Sequence, residues 1–140
     1  MIKNIFNPGN YSKNIDFVLL LLRLVVGGFM LTHGIGKFEK LFSGEPITFP
    51  DPIGVGATAS LALVVFSEVF CSLFLIFGIA TRLSSIPLII TMLVAAFIAH
   101  AVDGFGKQEL PLLYTVIYIV LVISGSGRIA FDNWMYQKLS

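Results

Sequence analysis

Ionisable side chains interrupt the long apolar stretches of this 140-residue sequence. Arg23 and Glu68 lie deepest inside such stretches, and His33, Lys37 and His100 lie near the ends. A charge that faces lipid near the middle of a membrane costs at least about 2.5–3.5 kcal/mol, so such residues face a protein interior and have a partner. These five residues are therefore the candidates for binding a ligand or handling a proton.

Arg23 and Glu68 are predicted to form an ion pair. Counted from one side of the membrane, Arg23 lies roughly two turns into the first apolar stretch and Glu68 roughly three turns into the second, an offset of about 9 Å. The long arginine side chain can close most of that gap. Such a pair either fixes the register of two helices or leaves Glu68 as a group that binds a ligand or carries a proton.

The two histidines and Lys37 are predicted to converge on a second polar site. His33 and Lys37 are four residues apart and share one face of a helix. If the first and third spans run in the same direction, His100 lies at nearly the depth of His33. Their N–H groups could then hold an anionic or carbonyl-bearing head group, although each histidine alone also fits a structural role. The supporting residues are predicted to be Asp103, Glu109, Tyr114 and Tyr118.

The composition excludes several classes of protein. Nine Lys/Arg against eight Asp/Glu give a net charge of +1, which provides no basic surface for nucleic acid. Cys71 is the single cysteine, so the sequence holds no disulfide, CxxC pair or thiolate metal cluster. The flanks of the two histidines show no ligand spacing such as HxxxH or ExxH, so no metal site is predicted.

The hydropathy predicts the elements that position these residues. Charged residues make up 12% of the chain, whereas soluble domains carry about 25%. Four stretches reach or approach the roughly 20 apolar residues that span a membrane, namely 17–35, 57–79, 83–102 and 110–124. Their short connections predict an all-α, membrane-spanning four-helix bundle with up-down-up-down topology. A small-xxx-small run, Gly28, Thr32 and Gly36, predicts close helix packing in the first span.

The charge distribution predicts how the bundle is oriented. We divide the chain into an N-terminal segment 1–16, a four-helix domain 17–134 and a tail 135–140. The positive-inside rule then puts both termini in the cytoplasm of a multi-pass protein of the cell membrane, here a bacterial inner membrane. The basic residues on the side of the termini are Lys3, Lys13, Arg82, Arg128 and Lys138.

Several short motifs add a family resemblance. In order, they are Arg23 with Gly27-Gly28, His33-Gly34-Ile35-Gly36-Lys37, Asp51-Pro52-Ile53-Gly54, Glu68 followed by Leu75-Ile76-Phe77-Gly78-Ile79-Ala80-Thr81-Arg82, Thr91-Met92-Leu93-Val94 with His100, and Ser124-Gly125-Ser126-Gly127-Arg128 with Asp132. With this order and spacing, the chain resembles the DoxX family of small four-helix membrane proteins from Leu20 to Trp134.

The resemblance implies a link to membrane redox chemistry. Relatives in the family include a subunit of a thiosulfate:quinone oxidoreductase associated with a terminal quinol oxidase, and members of membrane oxidoreductase assemblies. A related branch uses paired cysteines for thiol-disulfide chemistry with quinones, and this sequence departs from it because Cys71 stands alone.

The function implied is a small subunit of a membrane redox system that binds a quinone-like molecule. His33, Lys37 and His100 would grip its polar head, with Arg23 and Glu68 beneath them. The expected partners are the lipid bilayer, other membrane or redox subunits, and further copies of the chain in a homo-oligomer. Two other functional classes fit the same residues: a non-catalytic assembly or interaction protein, and a small proton-coupled transporter that uses Glu68.

Overall fold

The computed structural model describes residues 2–140, and the regular elements of this part of the chain are all helices. Two short helices lie near the ends of the chain, α1 (Ile2–Ile5) and α6 (Phe131–Lys138). Consecutive long helices run antiparallel because their connections are short, which confirms the predicted up-down-up-down bundle. The helices long and apolar enough to cross a membrane are α2 (Lys13–Phe42), α3 (Ala57–Phe77), α4 (Thr81–Ala99) and α5 (Phe105–Ser124).

The outer faces of the bundle are apolar and unpaired with protein. Ile123 is 71% exposed and Phe29 is 61% exposed, although both lie inside spanning helices. Contiguous exposed apolar surface of this kind is typical of a membrane-facing protein. The core between the helices holds Met30, Leu88 and Tyr118 among other buried side chains.

Two of the spans are longer than predicted, and this changes the position of the site residues. The first span was predicted over 17–35, but α2 has 30 residues and rises about 45 Å from end to end. Lys37 therefore lies well within α2, beyond the predicted end of the first span. The fourth span was predicted from residue 110, but α5 begins at Phe105. Its first turn thus lies close to the end of α4.

Two glycines set the register between α2 and α3. A Cβ atom on Gly27 would lie 3.0 Å from the carbonyl oxygen of Ser72, and one on Gly34 would lie 3.0 Å from the backbone carbon of Glu68. Gly28 and Gly36 face open space, so the predicted packing run is wrong. Helices in membranes approach closely where small residues face each other, and here the facing glycines are seven residues apart.

The end of the bundle that carries both termini is closed by buried polar contacts, and we call it the terminal end. The Asp132 carboxylate accepts the N–H of Ala80 at 2.6 Å and of Thr81 at 2.9 Å, where α4 begins. Asp16 accepts from Nε of Arg128 at 2.6 Å. These contacts tie α2, α4 and α6 together.

Candidate functional site

Lys37 and Glu68 form an ion pair near the end of the bundle opposite the termini. The Lys37 ammonium lies 2.7 Å from Oε1 and 2.6 Å from Oε2 of the Glu68 carboxylate. The Glu68 side chain is 4% exposed and that of Lys37 is 32% exposed. The close approach of α2 and α3 at Gly34, one turn before Lys37, brings the two side chains together. Glu68 lies in a π-helical turn, Phe66–Cys71, a feature often found at functional sites.

Arg23 is not the partner of Glu68, and the predicted ion pair between them is wrong. The Arg23 guanidinium instead donates to the carbonyl oxygens of Leu75 at 3.3 Å and Ile129 at 2.6 Å. Because α2 begins at Lys13, its first turns extend past the end of α3. Arg23 is therefore level with that end of α3, about 16 Å along the helix axis from the level of Gly34 and Glu68.

A cavity of about 800 Å³ lies between α3 and α4 beside the Lys37–Glu68 pair, and we call it the larger cavity. The hydroxyl of Thr91 donates to that of Ser67 at 2.9 Å and links its two walls. Residues 49–53 of the α2–α3 connection also line it. The walls are mostly apolar, and two wall residues, Leu63 and Ile90, are more than half exposed on the membrane-facing surface. The larger cavity is thus accessible from the lipid.

The larger cavity is charged where it meets the loops. Lys37 and Glu68 line it together with His100, Asp103 and Asp51. Nδ1 of His100 lies 2.7 Å from Oδ2 of Asp103, and this hydrogen bond holds the pKa of Asp103 below its usual value. Since Nδ1 is engaged, a ligand in the cavity would meet Nε2 of His100.

A second cavity of about 300 Å³, the smaller cavity, lies between α2, α4 and α5. Lys37, Glu68 and His100 line both cavities, whereas His33 lines the smaller one. The His33 ring meets the ring of Tyr114 edge-on, with centroids 6.3 Å apart. The structure therefore brings His33, Lys37 and His100 together as the sequence predicts. Their role in ligand binding stays a prediction.

Of the four residues predicted to support the site, two line a cavity and two do not. Tyr114 lines the smaller cavity and Asp103 the larger one, whereas Glu109 is exposed and lines neither. Tyr118 is fully buried one turn deeper than Tyr114, and their rings stack with centroids 6.0 Å apart. Arg23 lies at the terminal end and lines neither cavity.

Sequence reasoning missed the role of Asp51. Its carboxylate accepts the Ser60 hydroxyl at 2.7 Å and the backbone N–H groups of Val55 and Gly56 at 2.9 and 2.8 Å. These bonds hold the α2–α3 connection against the start of α3 and keep the pKa of Asp51 below its usual value, chiefly through Ser60. An acid followed by two glycines just before an apolar run was the available signal.

The side chains around the cavities suit an organic ligand better than a metal ion. Within residues 2–140, no three His, Cys, Asp or Glu side chains are close enough together to hold a metal. The ammonium of Lys37 can donate a hydrogen bond to an oxygen atom that enters the larger cavity, and Nε2 of His100 can do so when its ring is protonated. The apolar walls can surround a ring or chain.

One family model and several curated proteins match the chain. The DoxX family model matches residues 18–101. An uncharacterised protein of Haemophilus influenzae is 31% identical to the chain, over 92% of the chain and 98% of its own length. The Bacillus subtilis protein named "Putative oxidoreductase CatD" is 25% identical, over 90% of the chain and 92% of its own length. An uncharacterised membrane protein of Mycobacterium tuberculosis is 28% identical, over 86% and 82%. No solved structure matches the chain.

Proposed function

The chain belongs to the DoxX family and is an integral membrane protein, and from this we propose that it is a small subunit of a membrane redox system that binds a quinone-like molecule in the larger cavity. Residues 17–134 form its membrane domain. The relative named as an oxidoreductase supports the redox link. The observation that carries the proposal is a lipid-accessible, apolar cavity that ends on the Lys37–Glu68 pair and His100.

The residues of the larger cavity fit a quinone. A quinone has a flat apolar ring and carbonyl oxygens that accept hydrogen bonds. Lys37 supplies a donor, and Nε2 of His100 supplies a second one when the ring is an imidazolium that also donates from Nδ1 to Asp103. Leu63 and Ile90 supply apolar walls. A volume of about 800 Å³ lies within the range of roughly 300–1,000 Å³ that is usual for small-molecule sites. A bound quinone would supply electron and proton transfer that the side chains of this chain cannot.

The charges around the larger cavity favour an uncharged head group. The ammonium of Lys37 is already neutralised by Glu68, and the ring of His100 is held by Asp103. Asp51 adds a further negative charge to the lining. An anionic head group would therefore meet net repulsion, whereas a neutral carbonyl head group would not. Of the two head-group types that the sequence allowed, the geometry supports the carbonyl-bearing one.

Quinone binding by the purified protein tests the proposal. We would measure the affinity of a short-chain ubiquinone analogue and of a menaquinone for the protein in nanodiscs. His100→Ala removes one donor and should weaken binding about ten- to a hundredfold, because a hydrogen bond to a charged donor is worth about 1.5–3 kcal/mol. Glu109→Ala is the matched control, since Glu109 is exposed and lines neither cavity.

Two outcomes would overturn the proposal. The first is a parent protein that binds neither quinone, and the second is a His100→Ala variant with unchanged affinity. Either would favour the assembly-protein alternative, in which the buried polar residues only hold the helices together. Substrate uptake driven by a proton gradient in reconstituted vesicles would favour the transporter alternative.

The proposed orientation has both termini in the cytoplasm. The terminal end carries five basic residues, whereas the opposite end carries three. They are Lys3, Lys13, Arg82, Arg128 and Lys138 at the terminal end, and Lys37, Lys40 and Lys107 at the opposite end. This asymmetry supports the positive-inside assignment. A cysteine at Ser43 should react with an impermeant maleimide in intact cells, and one at Ser12 should not. The reverse pattern would invert the orientation.

A further inference from the structure

The smaller cavity differs in character from the larger one. Ionisable side chains make up much of its lining, namely His33, Lys37, Glu68, His100, Lys107 and Tyr114. They surround a space of only about 300 Å³. Polar cavities of this size are normally filled by water, since each water molecule takes about 30 Å³ and needs two to four polar partners. The apolar walls of the larger cavity offer few such partners.

The smaller cavity also extends from the aqueous surface inward. Its outer lining includes Gly106 and Lys107 in the first turn of α5, and the Lys107 side chain is 66% exposed. Its inner lining includes Met30 and Tyr114, which are buried between the helices. The Lys37–Glu68 pair lies between these levels. The smaller cavity therefore extends from the α4–α5 connection to the ion pair.

A buried hydroxyl beneath the smaller cavity points to the same conclusion. The Tyr118 hydroxyl has no hydrogen-bond partner among residues 2–140, although the side chain is fully buried. Its ring stacks on that of Tyr114, which lines the cavity. Tyr118 itself does not line the smaller cavity. Buried polar groups are normally hydrogen-bonded, so a buried water molecule between Tyr118 and the cavity would supply the missing partner.

We infer that the smaller cavity is a water-filled antechamber that connects the Lys37–Glu68 pair to the aqueous phase at the α4–α5 connection. The larger cavity connects the same pair to the lipid. One ion pair thus has an aqueous side and a lipid side. The lipid side rests on the proposed function, because it is the larger cavity that would hold the quinone-like molecule. The access of water does not depend on that function.

The reactivity of single cysteines tests the antechamber. In a Cys71→Ala background, Met30→Cys and Met92→Cys put a thiol in the smaller cavity, and Val64→Cys puts one in the larger cavity. Ile123→Cys is a control on the lipid-facing surface. The probe is a charged, water-soluble methanethiosulfonate added to protein in lipid nanodiscs, which expose both aqueous faces and make the result independent of orientation. Each variant is first checked for a parent-like melting temperature.

Cysteines in the smaller cavity should react at least about tenfold faster than those at 64 and 123, because the reactive thiolate forms only where water reaches the sulfur. Equal, slow reaction at all the positions would overturn the antechamber. Quinone affinity of the parent protein, measured on the same preparation, separates the two proposals. Fast labelling without quinone binding leaves the antechamber and removes the function. Quinone binding together with slow labelling would support the proposed function and overturn the antechamber.

Discussion

Charged side chains have different roles at the two ends of this bundle. At the terminal end, Arg23 and Asp132 are buried, and their partners are backbone groups of neighbouring elements. At the opposite end, Lys37 and Glu68 pair with each other between two cavities. The first set fastens helices where the space is filled. The second set leaves polar atoms next to space that a ligand or water can enter.

This comparison shows that a charge inside a membrane helix does not by itself identify a ligand site. Arg23 and Glu68 looked alike in the sequence, since each was a lone charge in an apolar run. What separates them is the volume beside them. The Arg23 guanidinium lines neither cavity and packs closely against Gly78, where an added Cβ atom would collide with it. Glu68 borders two cavities, so its charge is available for recognition.

Removing the Asp132 carboxylate should have the largest effect on stability. Asp132→Ala leaves the N–H groups of Ala80 and Thr81 without an acceptor at a buried position. Each such group costs about 1–3 kcal/mol, so the loss of both acceptors should lower the free energy of unfolding by about 2–6 kcal/mol. Thermal unfolding in detergent measures this loss. Asp103→Ala at the opposite end is the matched control and should cost much less, because the contacts of Asp103 with His100 and Lys107 are exposed to water. Equal losses would remove the contrast between the ends.

Gly34→Ala should loosen the end that carries the cavities and leave the terminal end intact. The added Cβ would meet Glu68 and Val69 within 3.0 Å, and such overpacking costs about 1–3 kcal/mol. Gly36→Ala is the control, because a Cβ there meets nothing within 4 Å and alanine favours a helix by about 0.5–1 kcal/mol. We therefore expect the two melting temperatures to move in opposite directions. A stable Gly34→Ala variant would contradict the close approach of α2 and α3.

The helices and the grouping of His33, Lys37 and His100 could be predicted from the sequence because both depend on regular spacing. Apolar length identifies a spanning helix, and residues at i and i+4 share a face whatever the exact helix ends are. The depth of His100 relative to His33 followed from the alternating direction of the spans. None of these inferences required knowledge of the register between two helices, that is, of how far one is shifted along the other.

The partner of Glu68 could not be predicted because it depends on the register between α2 and α3. The sequence does not reveal that α2 begins at Lys13 and extends past the end of α3, and an error of several residues in register moves Arg23 by more than a helical turn. The choice of Gly34 rather than Gly36 as the contact glycine has the same origin. The larger cavity depends on how α3 and α4 are arranged around it, which no local pattern encodes.

A double-mutant cycle tests the register directly. Lys37→Met and Glu68→Gln should be coupled by about 0.5–3 kcal/mol, because each single change leaves the other charge without its partner. Arg23→Lys combined with Glu68→Gln should be additive within about 0.5 kcal/mol, since those side chains lie at different levels. Unfolding of the three single variants, the two double variants and the parent in one detergent gives both values. Coupling between Arg23 and Glu68 would instead support an ion pair between them, which the structure contradicts.

The smallest effect on stability should appear at acidic pH. Its sign should differ between Asp51, at the end with the cavities, and Asp132, at the terminal end. Hydrogen bonds, chiefly from Ser60, hold the pKa of Asp51 below its ordinary value of 3.8, so its contribution to stability is complete above 3.8 and is lost as pH falls through the folded-state pKa. Burial raises the pKa of Asp132 above 3.8, so the folded state binds its proton more readily. That contribution is complete below 3.8 and is lost as pH rises through the folded-state pKa.

These signs can be separated by comparing Asp51→Asn and Asp132→Asn with the parent protein from about pH 3 to about pH 7. The stability deficit of Asp51→Asn should shrink as the pH falls below 3.8, because the parent carboxylate becomes protonated there and loses its advantage. The deficit of Asp132→Asn should shrink as the pH rises above 3.8, because ionising the buried carboxylate then costs the parent stability. Deficits that change in the same direction would mean that Asp51 and Asp132 have similar surroundings, and the contrast between a hydrogen-bonded loop carboxylate and a buried one would then be lost.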